Sequence, residues 1–296
     1  MCVIWGIPYL LIKVAVRELS APDLVFARTA PAALLLVPLA WRRGYLRPLL
    51  ARWRWVLAYT AIEVAGPWYF LSTAEKHLSS SVSGLLIATV PLIGVGSAFA
   101  LTVGRPGAGS SRSEDRLDAR RILGLVLGLG GVAVLVGIDV HGSNLVPVGE
   151  VVLTALGYAV GPMIISRRFA DLPGLGLVAA SFGLTALGYA PFALSHLPQH
   201  VSGEVVSSVA VLTLVCTTVA FLLFFALIVE VGPARATVIT FVNPAVAVAL
   251  GVVLLGEPLT LGLAVGFPMI LLGSVLATGA SGRINLLTEN TQKYRT

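Results

Sequence analysis

Apolar stretches of about 18–23 residues recur along almost the whole chain, each long enough to carry an α-helix across ~30 Å of hydrocarbon. No other feature limits the fold so tightly. Inside a bilayer only helices and closed barrels satisfy their own backbone groups. A barrel would show dyad alternation in segments of about 10 residues, and that pattern is absent. A mean hydropathy of +0.92, with 57% hydrophobic and 11% charged residues, leaves too little polar surface for a soluble chain of 296 residues. The sequence therefore specifies an all-α polytopic membrane protein.

The runs resolve into ten spans, at roughly 1–16, 22–40, 53–72, 80–103, 121–139, 147–166, 173–195, 205–228, 233–255 and 261–279. Short connections rich in Pro, Gly or Ser separate them, as in 171-DLPG-174 and 231-VGP-233. Sixteen of the twenty Lys and Arg residues fall on one side. They include Arg42, Arg43, Arg47, Arg52 and Arg54 in one loop and Arg105, Arg112, Arg116, Arg120 and Arg121 in another. The opposite side holds only Arg17 and Lys76, while Lys13 and Arg28 lie inside spans. By the positive-inside rule both termini are cytoplasmic, in a bacterial plasma membrane. The net charge of +6 is thus a topology signal, and no run resembles a nucleic-acid patch.

Five spans per half force the second half to be inverted relative to the first. Aligning Pro91 with Pro244 sets 84-GLLIATVPLIGVGSAFALTVG-104 on 237-TVITFVNPAVAVALGVVLLGE-257, with Val95/Val248 and Leu101/Leu254 also identical. In the fifth and tenth spans Gly124, Gly131 and Gly137 match Gly266, Gly273 and Gly279 in spacing. Small residues at such intervals let helix backbones approach closely in lipid. The offset falls from 153 residues at the prolines to 142 at these glycines, so the first half holds 11 more residues, placed in the polar 105–121 loop. The expected organisation is two inverted five-helix repeats, 1–140 and 141–280, followed by a cytoplasmic tail, 281–296. Trp5–Gly6 aligns with Gly157–Tyr158, halfway through the sixth span, so the first helix reads as truncated at its N-terminus. Inverted repeats are the architecture of many secondary transporters, which bind substrate near the midplane between the halves.

These residues resemble the drug/metabolite transporter superfamily, EamA type, across nearly the whole chain. The resemblance rests on 5-WG-6, Arg28, 74-AEKHLSSSVSGLLIATVPL-92, 232-GPARATVITFVNP-244, 255-LGEPLT-260 and 266-GFPMILLGS-274, in that order. It departs at Val103–Gly104–Arg105, where that family often carries Gly–Glu. The resemblance implies a ten-helix transporter whose central cavity is lined by the first, third, fourth, sixth, eighth and ninth spans. It further implies export or exchange of small metabolites without ATP or another cofactor.

Glu63 is the sharpest candidate, about ten residues into the third span in 59-YTAIEVAGPWYF-70. A carboxylate at that depth is expensive unless paired, hydrated or protonated. It reads either as a proton-coupling or substrate-binding acid, or as a hydrogen-bonded glutamate that holds helices together. Its counterpart in the second half is Cys216, followed by Thr217 and Thr218, so the halves differ chemically at this depth. Lys13 and Arg28 lie nearer the outer face, where snorkelling relieves part of their cost. With Glu18, Asp23 or Glu150 they read as a gating or structural ion pair. Trp5, Tyr9, Trp68, Tyr158, Cys216 and Asn243 join Glu63 as substrate-lining candidates, Trp5 and Tyr158 foremost for their mid-depth position. Pro91 and Pro244 each remove a backbone donor and free a carbonyl a turn earlier, which marks a pair of hinges. Glu257 reads as a cap or loop anchor. Four histidines without metal-ligand spacing and two cysteines, Cys2 and Cys216, point to no metal site and no disulfide framework.

A secondary transporter of a small metabolite or drug, working with protons amid membrane lipid, is the leading expectation. A lipid-translocating or regulatory protein on the same scaffold is the alternative. An intramembrane enzyme lacks support, since no HExxH and no mid-depth nucleophile–histidine pair occurs. Asn243 corresponds to Val90, so only the second copy carries an amide. If it contacts substrate, Asn243→Val gives a stable protein with altered substrate preference in a flux assay. If the amide instead bonds a neighbouring helix, the variant loses thermal stability.

Overall fold

The computed structural model describes residues 1–103, 119–139, 145–195, 198, 200–231 and 239–278, and every regular element among them is helical. The first run is α1 (Cys2–Gly6) and α2 (Pro8–Ala15), divided where Pro8 has no N–H to donate. Next come α3 (Ala21–Arg42), α4 (Arg47–Leu50) and α5 (Trp53–Tyr59). A π-helical segment (Thr60–Ala65) joins α5 to α6 (Gly66–Ala74). Then follow α7 (Ser80–Ile87), α8 (Val90–Val103), α9 (Ala119–Asp139), α10 (Leu145–Arg168), α11 (Gly174–Ser195) and α12 (Gly203–Thr213). A second π segment (Leu214–Val219) leads to α13 (Ala220–Val231), and α14 (Ile239–Leu255) and α15 (Leu261–Thr278) complete the order.

Six helical stretches are long and apolar enough to cross a membrane: Ala21–Arg42, Ala119–Ile138, Leu145–Arg168, Gly174–Ser195, Gly203–Phe224 and Leu261–Thr278. Val3–Ala15, Ser80–Gly96 and Val242–Leu255 are shorter apolar helices. The third expected span is helical from Trp53 to Ala74 but passes through the π segment. Most of the Arg-rich loop at 105–121, the start of the ninth span and the tail at 281–296 lie outside the described residues.

Local chemistry sets the helix ends. Ser20 and Asp23 form a reciprocal capping box at the start of α3, and Ser202 accepts from Val205 N at the start of α12. Gly44, at φ +72°, supplies the left-handed turn that ends α3. At the arginine-rich end, Arg52 donates to both carboxylate oxygens of Asp171, at 2.6 and 2.8 Å, and to the Arg168 carbonyl. That bidentate bond holds the exposed Asp171 carboxyl below the usual aspartate range and ties the end of α10 to the start of α5.

Contacts group the chain into two compact units. One comprises Met1–Ile87 and Gly142–Pro258, the other Ala88–His141 and Leu259–Thr296. This packing cuts across the sequence halves 1–140 and 141–280, because partners in space are drawn from both. In the first unit Val25, Ala32, Ala33, Leu36 and Ala40 of α3 meet Leu175, Val178, Ala179 and Phe182 of α11, with Val64 and Trp68 in the same core. Alanines on α3 let the two helices approach, as small residues do where lipid gives no hydrophobic drive to association.

The second unit is built on the glycines of α9 and α15. A Cβ on Gly273 would lie 2.6 Å from the Gly124 carbonyl oxygen, and one on Gly124 would lie 2.7 Å from that of Gly273. Gly131 and Gly266 stand in the same reciprocal relation, at 3.0 and 2.9 Å. Four of the six spaced glycines thus meet backbone to backbone, Gly124 with Gly273 and Gly131 with Gly266. Gly137 has open space around it, and Gly279 lies outside the described residues.

The two prolines behave differently. The helix is interrupted at Ala88–Thr89, and Pro91 sits near the start of α8, where its missing N–H costs nothing. Ser274 Oγ donates to the Ala88 carbonyl at 3.1 Å, satisfying a group at the break. Pro244 lies within α14, which continues through it.

Gly273→Val forces two backbones apart and is expected to cost about 1–3 kcal/mol. Thermal unfolding of the purified protein in detergent should show a fall of several degrees. Gly137→Val, which meets nothing, should melt like the parent.

Candidate functional site

The third span owes its irregularity to 66-GP-67. Pro67 cannot donate to the carbonyl four residues earlier, that of Glu63. The chain answers by widening to i→i+5 bonding, with Gly66 N donating to the Ala61 carbonyl. Tyr189 Oη on α11 donates to the Ala65 carbonyl at 3.1 Å, and Thr60 Oγ1 donates to Ser181 Oγ at 3.0 Å. Glu63 stands in the middle of this segment. Its Oε2 is sealed from solvent and has no hydrogen-bond partner among the described residues. Gly161 of α10 makes the space, since a Cβ there would overlap the Glu63 carboxylate. Gly157, one turn earlier, packs in the same way on the Ile62 carbonyl and Pro67.

The second π segment sits at the aligned place in the other half, with Cys216 at the position of Glu63. No proline is present there. Thr217 and Thr218 hydroxyls donate to the Leu212 and Thr213 carbonyls, five residues back, at 2.9 and 3.0 Å. Side chains thus cover the carbonyls that the wider turn releases. Cys216 is fully buried.

Arg28 joins the second π segment to α6, just beyond the first. Its Nε donates to Thr217 Oγ1 at 2.8 Å, and its guanidinium carbon lies 3.6 Å from the centroid of the Trp68 ring. Trp68 begins an aromatic row: Phe182 at 5.4 Å, Phe221 at 5.5 Å from Phe182, and Trp5 at 5.7 Å from Phe221. Tyr158 packs against the same core. Of the lining candidates, Trp68, Tyr158 and Cys216 therefore belong to the surroundings of Arg28, while Trp5 stands at the far end of the aromatic row. Tyr9 is buried against Gly84 of α7. Asn243 is on α14 where α1 crosses it, and a Cβ on Gly6 would lie 3.0 Å from its carbonyl oxygen.

Lys13, Arg28 and Glu150 do not come together. Arg28 is only 8% exposed, so it is turned inward rather than snorkelled. Lys13 Nζ donates to the Glu75 and Leu78 carbonyls at 2.6 and 2.7 Å, closing the end of α6. Glu150 lines a shallow cavity of about 360 Å³ with Lys76 and His77. Glu18 instead accepts from Ser202 N at 2.7 Å, which holds that exposed carboxyl below its usual range, and Asp23 serves its capping box. Glu18 and Asp23 are thus taken up by Ser202 and Ser20 rather than by Lys13 or Arg28.

Glu75 was missed by sequence reasoning. It is fully buried, and neither carboxyl oxygen has a hydrogen-bond partner among the described residues. In 74-AEKHLSSS-81 it reads as one polar residue of a connecting loop. Tight bonding there, with Leu78 N on the Ala74 carbonyl at 2.9 Å, folds the segment back inside. Nearby, Glu257 caps α7 from far along the chain. It accepts from Ser80 N at 2.6 Å, Ser81 N at 3.0 Å and Ser81 Oγ. Gly251 admits this arrangement, as any Cβ there would press on the Glu257 carboxylate and both serine hydroxyls. The anchoring role expected for Glu257 is what the geometry shows.

A sequence profile for the EamA-like transporter family matches residues 1–108 and 149–279. The chain is 28% identical over 276 residues to YedA, an inner membrane transporter of Escherichia coli strain K12, covering 87% of this chain and 81% of that protein. It is 24% identical over 282 residues to YvbV, a transporter of Bacillus subtilis, covering 91% and 86% of the two chains. A transporter of Archaeoglobus fulgidus is 23% identical over 252 residues, covering 81% and 82%. One solved crystal structure superposes with a TM-score of 0.61 at 21% identity over 95% of this chain and 97% of that one, which shows a shared fold.

Glu257→Ala leaves the α7 N-terminus without its acceptor and is expected to cost about 1–3 kcal/mol. Glu257→Gln keeps an acceptor without the charge and should fall between. Melting curves of the three proteins in detergent check the order.

Proposed function

The chain belongs to the EamA-like transporter family, and from that premise we propose that it is a secondary active transporter of a small metabolite or drug. It is a multi-pass membrane protein. In this reading ten spans form two inverted five-helix repeats, both termini are cytoplasmic, and the chain works by alternating access as an exporter or exchanger in the bacterial inner membrane. The two π segments at aligned positions support the repeat. The interruption before Pro91 and Pro244 within α14 serve as the hinge pair.

One observation carries the mechanism: a carboxylate oxygen of Glu63, sealed from solvent, with no protein donor among the described residues. Such an oxygen is an acceptor that a proton can fill. Intramembrane acids mark proton relays and substrate pathways in transporters. Glu63 is accordingly the coupling residue. Substrate binds between it and the wall that carries Trp5, Trp68, Tyr158, Cys216 and Arg28, with Tyr9 and Asn243 on neighbouring helices. Gly161 holds the space in which the Glu63 carboxyl moves between its two protonation states.

Proteoliposomes loaded with a pH-sensitive dye test this reading against a panel of amino acids, nucleosides, sugars and amphipathic cations. The parent protein is expected to move protons when its substrate is added, and Glu63→Gln to abolish that movement while still binding the substrate. Unchanged proton movement in Glu63→Gln removes the coupling assignment. Flux of fluorescent lipid without flux of any solute replaces solute transport with lipid translocation.

A further inference from the structure

At the arginine-rich end of the first unit a cavity of about 490 Å³ opens between the start of α5 and the end of α10, where Arg52, Trp55, Arg167, Arg168 and Asp171 line it. Three guanidinium groups face one carboxylate there, which leaves two positive charges in excess. Arg52 is fully committed, donating to both oxygens of Asp171 and to the Arg168 carbonyl. It thereby neutralises the two groups that would repel an anion, an acid and a carbonyl at a helix C-terminus. Arg168 is held differently: its guanidinium carbon lies 4.2 Å from the centroid of the Trp55 ring, which covers its face and leaves the N–H edge open. Neither Arg167 nor Arg168 is ion-paired among the described residues.

We propose that this cavity seats the phosphate of an anionic phospholipid from the leaflet on the arginine-rich side. The proposal rests on the chain's being a multi-pass membrane protein and not on what it transports. Helix α10 is long and apolar enough to cross a membrane, and Arg167 and Arg168 end it, so the cavity lies where hydrocarbon gives way to headgroups. Two neighbouring guanidinium groups supply forked donors that match the oxygens of a phosphodiester. Trp53 and Leu57, one turn apart on α5 and 54% and 44% exposed, offer an apolar surface to the acyl chains. A soluble phosphate would find the same donors but would leave that surface bare. The positive-inside bias accounts for arginines on this side of the membrane. It does not account for one arginine that cancels an acid and a carbonyl, or for another laid over an indole ring.

The purified full chain in detergent is titrated with phosphatidylglycerol and with phosphatidylcholine of the same acyl length, and followed by native mass spectrometry and thermal shift. Phosphatidylglycerol is expected to bind tighter by about tenfold or more and to raise the melting temperature. The double variant Arg167→Gln/Arg168→Gln should lose that preference. Trp55→Ala, which releases the Arg168 side chain, should keep only part of it. Arg42→Gln/Arg43→Gln removes two charges from the same side but outside the cavity, and should bind phosphatidylglycerol like the parent. All five side chains are exposed, so the variants are expected to fold. Equal binding of the two lipids by the parent overturns the proposal, and so does an equal loss in both double variants, which reduces the effect to general surface charge. Two soluble competitors complete the test. Displacement of the lipid by glycerol 3-phosphate at equal concentration makes the site one for a free phosphate and overturns the lipid assignment. Binding of a glutamate-rich peptide that depends on Arg167 and Arg168, without any lipid preference, replaces it with a protein contact.

Discussion

A backbone carbonyl that loses its helical donor in an apolar slab must find another, because no water is at hand to supply one. Much of the described architecture follows from that requirement. Where the third span widens before Pro67, Tyr189 serves Ala65. Where the eighth expected span widens, Thr217 and Thr218 serve carbonyls five residues back. At the interruption before Pro91, Ser274 serves Ala88. At the end of α6, Lys13 serves two carbonyls at once. The complementary problem, bare N–H groups at the start of α7, is met by Glu257. In each case a side chain from elsewhere in the sequence, or from the same turn, takes over a bond the helix gave up.

The candidate site grows from the same defects. Both π segments leave polar side chains inside the unit, Glu63 from one and Thr217 from the other, with Arg28 reaching from α3 to the second and lying over Trp68 just beyond the first. The halves then part company chemically. The first places an acid at the centre of its segment and the second a thiol, Cys216. The scaffold therefore holds an uneven charge pattern, with an acid in the first π segment and a guanidinium bonded to the second.

Much of this was legible in the residues. Run length announces membrane helices, and the spacing of Gly124 and Gly131 against Gly266 and Gly273 announces a close helix pair because only backbone fits there. Glu63 stands out since an acid in an apolar run is conspicuous. Three things were hidden. A π segment has no sequence signature of its own, and it rotates every residue beyond it relative to those before, so Trp68 cannot be placed on a face by counting. Glu75 lies among polar neighbours and looks like loop, although the tight turn after Ala74 buries it completely. Arg28 sits near a span end, where snorkelling is the ordinary outcome. Its inward direction depends on Thr217, which lies 189 residues away and is invisible to local reasoning.

That separation bears on how the protein is made. A chain is synthesised from its N-terminus, so α2 presents Lys13 to the membrane 62 residues before Glu75 exists to receive it. Arg28 waits far longer, and the Ser80–Ser81 amides precede Glu257 by 176 to 177 residues. Until the later helices arrive, neither cation has the protein partners it has in the folded chain. Thr217 and Glu257 of the second half complete contacts that Arg28 and the Ser80–Ser81 amides of the first half cannot make alone. The polar contacts that finish the site are the ones that finish assembly.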